Sequence, residues 1–210
     1  MKNPKTKIST LLPLLAAAAS GMALAGSAMA QDAPFLVRLR AVDLISANKD
    51  STGLDLSINN KIIPELDLSY FFTPEWAAEL VLTYPQKQTI RSGGVDIGEL
   101  KHLPPTLTAQ YHFTSLGAFV PYIGAGINYT RFSSVSFNPA VEAALHPTLK
   151  KNSFGLAAQV GFDYEFMKNT VFNVDVKKVQ IATDIKSPGT KLGEPKVDPW
   201  LVGIGIGWRF

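Results

Sequence analysis

The sequence predicts an all-β protein, an eight-stranded antiparallel transmembrane β-barrel with short periplasmic turns and long extracellular loops. Three observations predict it. Apolar and polar residues alternate with a period of two through eight segments. The connections between the segments are short and long in turn. Aromatic residues gather at the segment ends. Side chains alternate faces along a strand, so each segment has one greasy and one polar or small face. In a membrane barrel the greasy face looks out at lipid and the interior is polar. A soluble eight-stranded barrel would reverse this, putting charges outside and aromatics within.

The elements follow in chain order. Lys2, Lys5 and Lys7 precede an Ala- and Leu-rich stretch that ends on Ala28-Met29-Ala30, which reads as a secretory signal peptide over residues 1–30. Those three lysines account for the whole formal charge of +3. The mature chain, 31–210, is then neutral and gives no footprint for nucleic acid. There is no cysteine, and a closed barrel needs none. No stretch offers the ~20 consecutive apolar residues of a spanning helix after the leader.

In the first strand Phe35, Val37, Leu39 and Ala41 oppose Arg38 and Arg40. In the second, Leu66, Leu68, Tyr70 and Phe72 oppose Glu65, Asp67 and Ser69. The third sets Trp76, Ala78, Leu80, Leu82 and Tyr84 against Glu79 and Thr83. The fourth sets Leu107, Ala109, Tyr111 and Phe113 against Gln110 and His112. In the fifth, Ile123, Ala125, Ile127 and Tyr129 face away from Gly124, Gly126 and Asn128. The sixth sets Phe154 through Phe166 against Ser153, Gln159, Asp163 and Glu165. The seventh sets Phe172, Val174 and Val176 against Asn173, Asp175 and Lys177. The eighth is clearest: Trp200, Val202, Ile204, Ile206, Trp208 and Phe210 share one parity, and Leu201, Gly203, Gly205, Gly207 and Arg209 the other.

Short turns at 73–75, 114–118 and 167–170 lie on one rim, with both termini. Loops at 47–60, 85–103, 133–152 and 183–197 lie on the other. Tyr70/Phe72, Tyr111/Phe113, Tyr164/Phe166, Trp208/Phe210, Phe35, Trp76 and Phe172 form a girdle at the short-turn height. Tyr84, Tyr129, Phe132, Phe154 and Trp200 are expected to form the other. Within the third long loop, Pro139 to Leu145 reads as a short helix with Asn138 as N-cap and proline in the first turn.

Four stretches carry a family resemblance: H-L-P-P-T-L-T-A-Q-Y-H-F (102–113), P-Y-I-G-A-G-I-N-Y-T (121–130), A-A-Q-V-G-F-D-Y (157–164) and D-P-W-L-V-G-I-G-I-G-W-R-F (198–210). With them the chain resembles the OmpW family of small outer-membrane barrels over essentially its whole mature length. The resemblance implies an eight-stranded barrel in the Gram-negative cell outer membrane that moves small hydrophobic molecules across it; closure removes the sheet edges, so such a barrel is complete as a monomer, although the sequence does not settle the oligomeric state. It also implies that Phe210 is the C-terminal signal read by the barrel-assembly machinery.

Eight strands enclose a space barely wide enough for their own side chains, so an open aqueous pore is not expected. By parity the lumen holds Arg38, Arg40, Lys177 and Arg209 with Glu65, Asp67, Glu79, Asp163, Glu165 and Asp175, which should pair. Of these, Arg38, Arg40, Glu65, Asp67, Glu79, Asp175, Lys177 and Arg209 are candidates for a polar plug. Leu36, Val42, Val81 and Leu201 share the inward parity and, with Leu103 from the loops, are candidates for an apolar pocket above the plug. That arrangement suggests capture at the loops and sideways exit between strands into the bilayer. Lys177 departs from an apolar constriction. The second functional reading is a structural or adhesion barrel whose loops bind a partner. Arg131 and Lys178 face outward toward the loop rim and are candidates for contact with lipopolysaccharide phosphates; the alternative is a bulge at Lys177-Lys178. His102, His112 and His146 lack metal-ligand spacing. Nothing in the sequence pairs Ser153 with His102 as a catalytic set would require. No cofactor and no enzymatic activity is expected.

Overall fold

The eight alternating segments become the staves of a closed antiparallel barrel. A computed structural model describes residues 33–46, 53, 55–187, 190–193 and 197–210. The leader at 1–30 lies outside the described residues. The elements are β1 (Phe35–Ile45), β2 (Leu56–Ile58), β3 (Lys61–Phe71), β4 (Trp76–Thr83), β5 (Gln86–Ser92), β6 (Val95–Leu103), β7 (Thr106–His112), β8 (Phe119–Phe137), α1 (Pro139–Leu145), β9 (Thr148–Leu149), β10 (Asn152–Met167), β11 (Thr170–Val179), β12 (Ile185–Ser187), β13 (Thr190–Gly193) and β14 (Trp200–Arg209).

The barrel runs β1-β3-β4-β7-β8-β10-β11-β14, and β14 pairs back onto β1. Closure leaves no exposed sheet edge along the wall. The register is set by the pattern, because a one-residue slip would turn every charge toward lipid. Trp200 and Ile204 are 49% and 56% exposed, while Arg38 and Lys177 are fully buried. The apolar stripe therefore faces the bilayer. Phe35 meets Tyr70 and Tyr70 meets Phe72, each at 5.1 Å; Trp76 meets Tyr111 at 5.1 Å and Tyr111 meets Phe113 at 5.0 Å. These rings make the periplasmic girdle.

The turns on that rim are local constructions. Thr73 Oγ1 accepts from the backbone N–H of Glu75 and Trp76 at 3.2 and 3.0 Å. Asn169, at φ 58°, takes the left-handed position of the β10–β11 turn.

The long loops differ from expectation. Residues 85–103, read as loop, form the β5–β6 hairpin, whose β6 pairs with the upper part of β8 and whose β5 pairs with β2. A small sheet of β13-β12-β9 lies on another part of the same rim. Strand β8 is therefore 19 residues long, pairing with β7 below and β6 above. Pro104 and Pro105 divide β6 from β7, since proline cannot donate to a ladder. The helix α1 forms with proline at its start. Asn138 does not cap it; its Nδ2 instead donates to the Asp96 carbonyl at 2.8 Å.

Candidate functional site

The lumen is layered, and the layers are built from alternate residues of the same strands. Its floor, at the periplasmic end, is a small apolar cluster of Leu36, Phe71, Ala77 and Val171. Leu36, expected in the upper pocket, is here: it pairs with Ser69 and Arg209 near the turn rim. Parity was sufficient to turn it inward, but height depends on register. Arg209 stacks over the Phe71 ring at 4.3 Å rather than joining the ion-pair cluster. Glu165, read as lumenal, is exposed and accepts from the Asn169 backbone N–H at 3.1 Å.

Above the floor lies the charged layer. Arg38 is held by Glu79 at 2.8 Å and by Asp163, its Nε donating to Oδ1 at 3.0 Å, and it donates to Ser69 at 2.9 Å. Arg40 meets Asp67 at 2.6 Å, Glu65 at 2.9 Å and Asp175 at 3.3 Å. Lys177 sits 3.3 Å from Glu65 and 3.8 Å from Asp175. All eight charged side chains are buried. Arg38 hydrogen-bonds several acceptors, while Arg40 is held by close ion pairs, its Nη1 donating to Asn173 Oδ1 at 3.1 Å.

Space for these guanidinium stems comes from β14. In register, Arg38 faces Gly207 and Arg40 faces Gly205. A Cβ on Gly205 would lie 2.2 Å from the Leu39 carbonyl oxygen and 2.7 Å from Arg40 Cγ. The glycine face of the last strand is thus the counterpart of the arginine face of the first.

Several members of the layer are uncharged and were not singled out in the sequence. Tyr122 donates to Asp175 Oδ2 at 3.1 Å, and its ring lies 5.4 Å from the Arg38 guanidinium carbon. Asn173 donates to Asp163 Oδ1 at 2.9 Å, and Gln159 donates to Glu79 Oε1 at 3.2 Å. Their inward parity was the available signal.

The extracellular part of the lumen holds a large apolar cluster beside a few buried polar side chains, Gln88 and His102 among them. Val42, Leu44, Ile63, Ile90, Leu100, Phe132, Ala157, Val179, Ile181, Val197 and Leu201 form one buried cluster. Val42 and Leu201 are therefore in the upper layer. Val81 is buried but sits level with Asp67, at the edge of the charged layer. Leu103 is only half-buried, across from Arg131. Phe132, assigned to the outer girdle, points inward instead; its even position has the parity of Asn128 and Thr130.

On this layer's hairpin wall, Ile58, Gln88, Leu100, His102, Phe132, Ile181 and Val197 surround about 170 Å³ of interstitial space that holds no water-sized void. His102 lies above the outer girdle. Its burial, and then the nearby Lys61 ammonium, lower its pKa to about 4, so it is neutral at neutral pH.

Outside, Arg131 is exposed. Lys178 is not available for a lipid contact: its Nζ donates to the Asp198 carbonyl and lies 4.9 Å from the Trp200 ring centroid. No bulge separates Lys177 from Lys178, which pair in regular register with Leu201 and Trp200.

Among the described residues, the wall is interrupted between β4 and β7. The β4–β7 ladder stops at Val81↔Thr106, leaving Leu82 and Thr83 without a partner on β7. Above it, the carbonyls of Pro104 and Pro105 accept from Asn128 Nδ2 at 3.3 and 3.1 Å.

A closed eight-stranded wall, apolar outside and ion-paired inside, defines a small outer-membrane β-barrel. A sequence model of the OmpW family matches residues 32–210, and the chain belongs to that family. It is 43% identical over 187 residues to the outer-membrane protein y4mB of Sinorhizobium fredii, covering 84% of this chain and 80% of that one. It is 33% identical to outer membrane protein W of Vibrio cholerae, covering 86% and 90%. The crystal structure of OprG from Pseudomonas aeruginosa superposes with a TM-score of 0.75 at 28% identity, covering 85% of this chain and 96% of that one. The protein is an outer-membrane protein seated in the bilayer.

Proposed function

We propose that this barrel is a passive channel for small hydrophobic molecules, captured at the extracellular end of the lumen and released sideways into the bilayer. The observation that carries the reading is the apolar layer directly above a sealed charged layer. A greasy solute gains roughly 25 cal/mol per Å² of apolar surface removed from water, so the upper lumen attracts it. The buried ion pairs below oppose it, since their displacement would strand charges in a low dielectric. Arg38, Arg40, Glu65, Asp67, Glu79, Asp175 and Lys177 act as the plug, and Val42 and Leu201 belong to the capture surface. The seam at Val81↔Thr106 is the sideways exit. The upper layer is closely packed at rest, so passage requires the β5–β6 hairpin to shift.

The leader at 1–30 directs export, Phe210 serves the assembly machinery, and the barrel works as a monomer. Arg131 alone of the two outward cations remains for a lipopolysaccharide phosphate. The test is whole-cell uptake of an apolar solute with and without the gene, beside a hydrophilic sugar as control. Loss of apolar uptake alone supports the channel. Unchanged apolar uptake with altered surface binding replaces it with the adhesion reading.

A further inference from the structure

Three buried polar atoms without partners lie together on the β5–β6 hairpin, at the mouth of the apolar layer. They are Gln86 Oε1, Gln88 Oε1 and His102 Nδ1. Gln86 pairs with His102 across the hairpin, and Gln88 pairs with Leu100, so Gln88 and His102 are diagonal neighbours on the inward face. None of the three residues exceeds 3% exposure.

The amide orientations are fixed from the nitrogen side. Gln86 Nε2 donates to the Tyr84 carbonyl at 2.9 Å and to Thr83 Oγ1 at 3.3 Å. Gln88 Nε2 donates to the Asn59 carbonyl at 3.1 Å. Each amide oxygen is thereby left as an acceptor with nothing to accept. A buried polar group in this condition costs stability, and native proteins rarely keep one without a use. Gln88 and His102 both line the interstitial space among Ile58, Leu100, Phe132, Ile181 and Val197, where no water-sized void exists to supply a partner. A partner must come with the solute that opens the space.

We infer that this hairpin is a recognition site for hydroxylated hydrophobes, alcohols or phenols, among the solutes of the channel. The O–H donates to Gln88 Oε1, and the hydroxyl oxygen accepts from His102 in its Nδ1–H tautomer, Gln88 and His102 being the two polar residues that line the space. The apolar body takes the place of contacts now made among Leu100, Phe132 and Ile181. A neutral imidazole serves here, because a charged one would have to be desolvated with the solute. Discrimination follows from the difference between the two solute classes: an alkane leaves Gln88 Oε1 and His102 Nδ1 orphaned, and an alcohol pairs both. The inference rests on the channel reading and adds the chemical class that the channel prefers.

The experiment measures saturable binding of 1-naphthol and of naphthalene to the full-length barrel in lipid nanodiscs, with empty nanodiscs subtracting partition into lipid. The expected result is about tenfold tighter binding of 1-naphthol, the size of one well-made buried hydrogen bond. The double variant Gln88→Leu/His102→Leu should lose that preference while still binding naphthalene. Heat-modifiable electrophoretic mobility checks that the variant is folded. Equal affinities for the two probes, or a preference that survives in the double variant, overturn the inference and leave the channel reading intact. No saturable binding of either probe by the wild-type barrel overturns both.

Discussion

The middle and the upper lumen are enclosed by the same wall but held together in opposite ways. The middle is a set of reciprocal ion pairs among residues of the barrel strands, with Arg38 reaching Asp163 across 125 positions of sequence. The upper layer is an apolar cluster completed by the loop hairpin, through Ile90 and Leu100. Charge pairing is directional, and losing one partner leaves the rest exposed to a low dielectric. Apolar packing is non-directional and can rearrange around a guest. One region is suited to seal and the other to yield.

The largest expected effect breaks the seal. Arg40→Met removes the cation shared by Asp67, Glu65 and Asp175, and should cost about 3–5 kcal/mol. Urea unfolding in lipid vesicles, followed by tryptophan fluorescence, reads the loss; a change under 1 kcal/mol would show that the pairs do not hold the middle together. Leu100→Ala empties part of the upper layer and should cost about 2–4 kcal/mol. The two costs should add, as the sites share no partners; strong coupling in the double variant would mean that the two regions act as one.

A pH scan sharpens the contrast. His102 has a folded-state pKa of about 4, against an ordinary 6.5. The unfolded hairpin therefore takes up the proton first. Its stabilising effect is present above pH 6.5 and is lost as pH falls toward 4, by roughly 1 kcal/mol per unit. Hydrogen exchange of β5–β6 amides should quicken over that window, and His102→Leu should flatten the dependence. The smallest effect belongs to the exposed Lys87–Glu99 pair at 2.7 Å: Lys87→Gln should change stability by less than about 0.5 kcal/mol, measured by the same unfolding titration.

The eight staves were legible because lipid on one side and a polar lumen on the other impose strict alternation. The β5–β6 hairpin was not, because its inward face mixes Gln86, Gln88 and His102 with Ile90 and Leu100. Above the bilayer its outer face meets water instead of lipid, so the contrast between faces fades. Phe132 illustrates a related error: an aromatic near a rim suggested the girdle, while its parity already pointed inward. Lys178 had the outward parity assigned to it, but Asp198 and Trp200 engage its ammonium group. The Gln86, Gln88 and His102 cluster had no sequence signal, since an unpartnered atom is a property of its surroundings.

The sequence by itself determined which way each barrel side chain faces. The cause is local: the pleat alternates Cβ directions, and a single register error would drive charge into hydrocarbon. Only the tertiary structure decided how high each residue sits and which charge meets which. Barrel closure brings β1 against β14, sets Arg40 over Gly205, and gathers carboxylates from four strands around two arginines and a lysine. Those distances depend on stagger around the whole wall, which no one strand encodes.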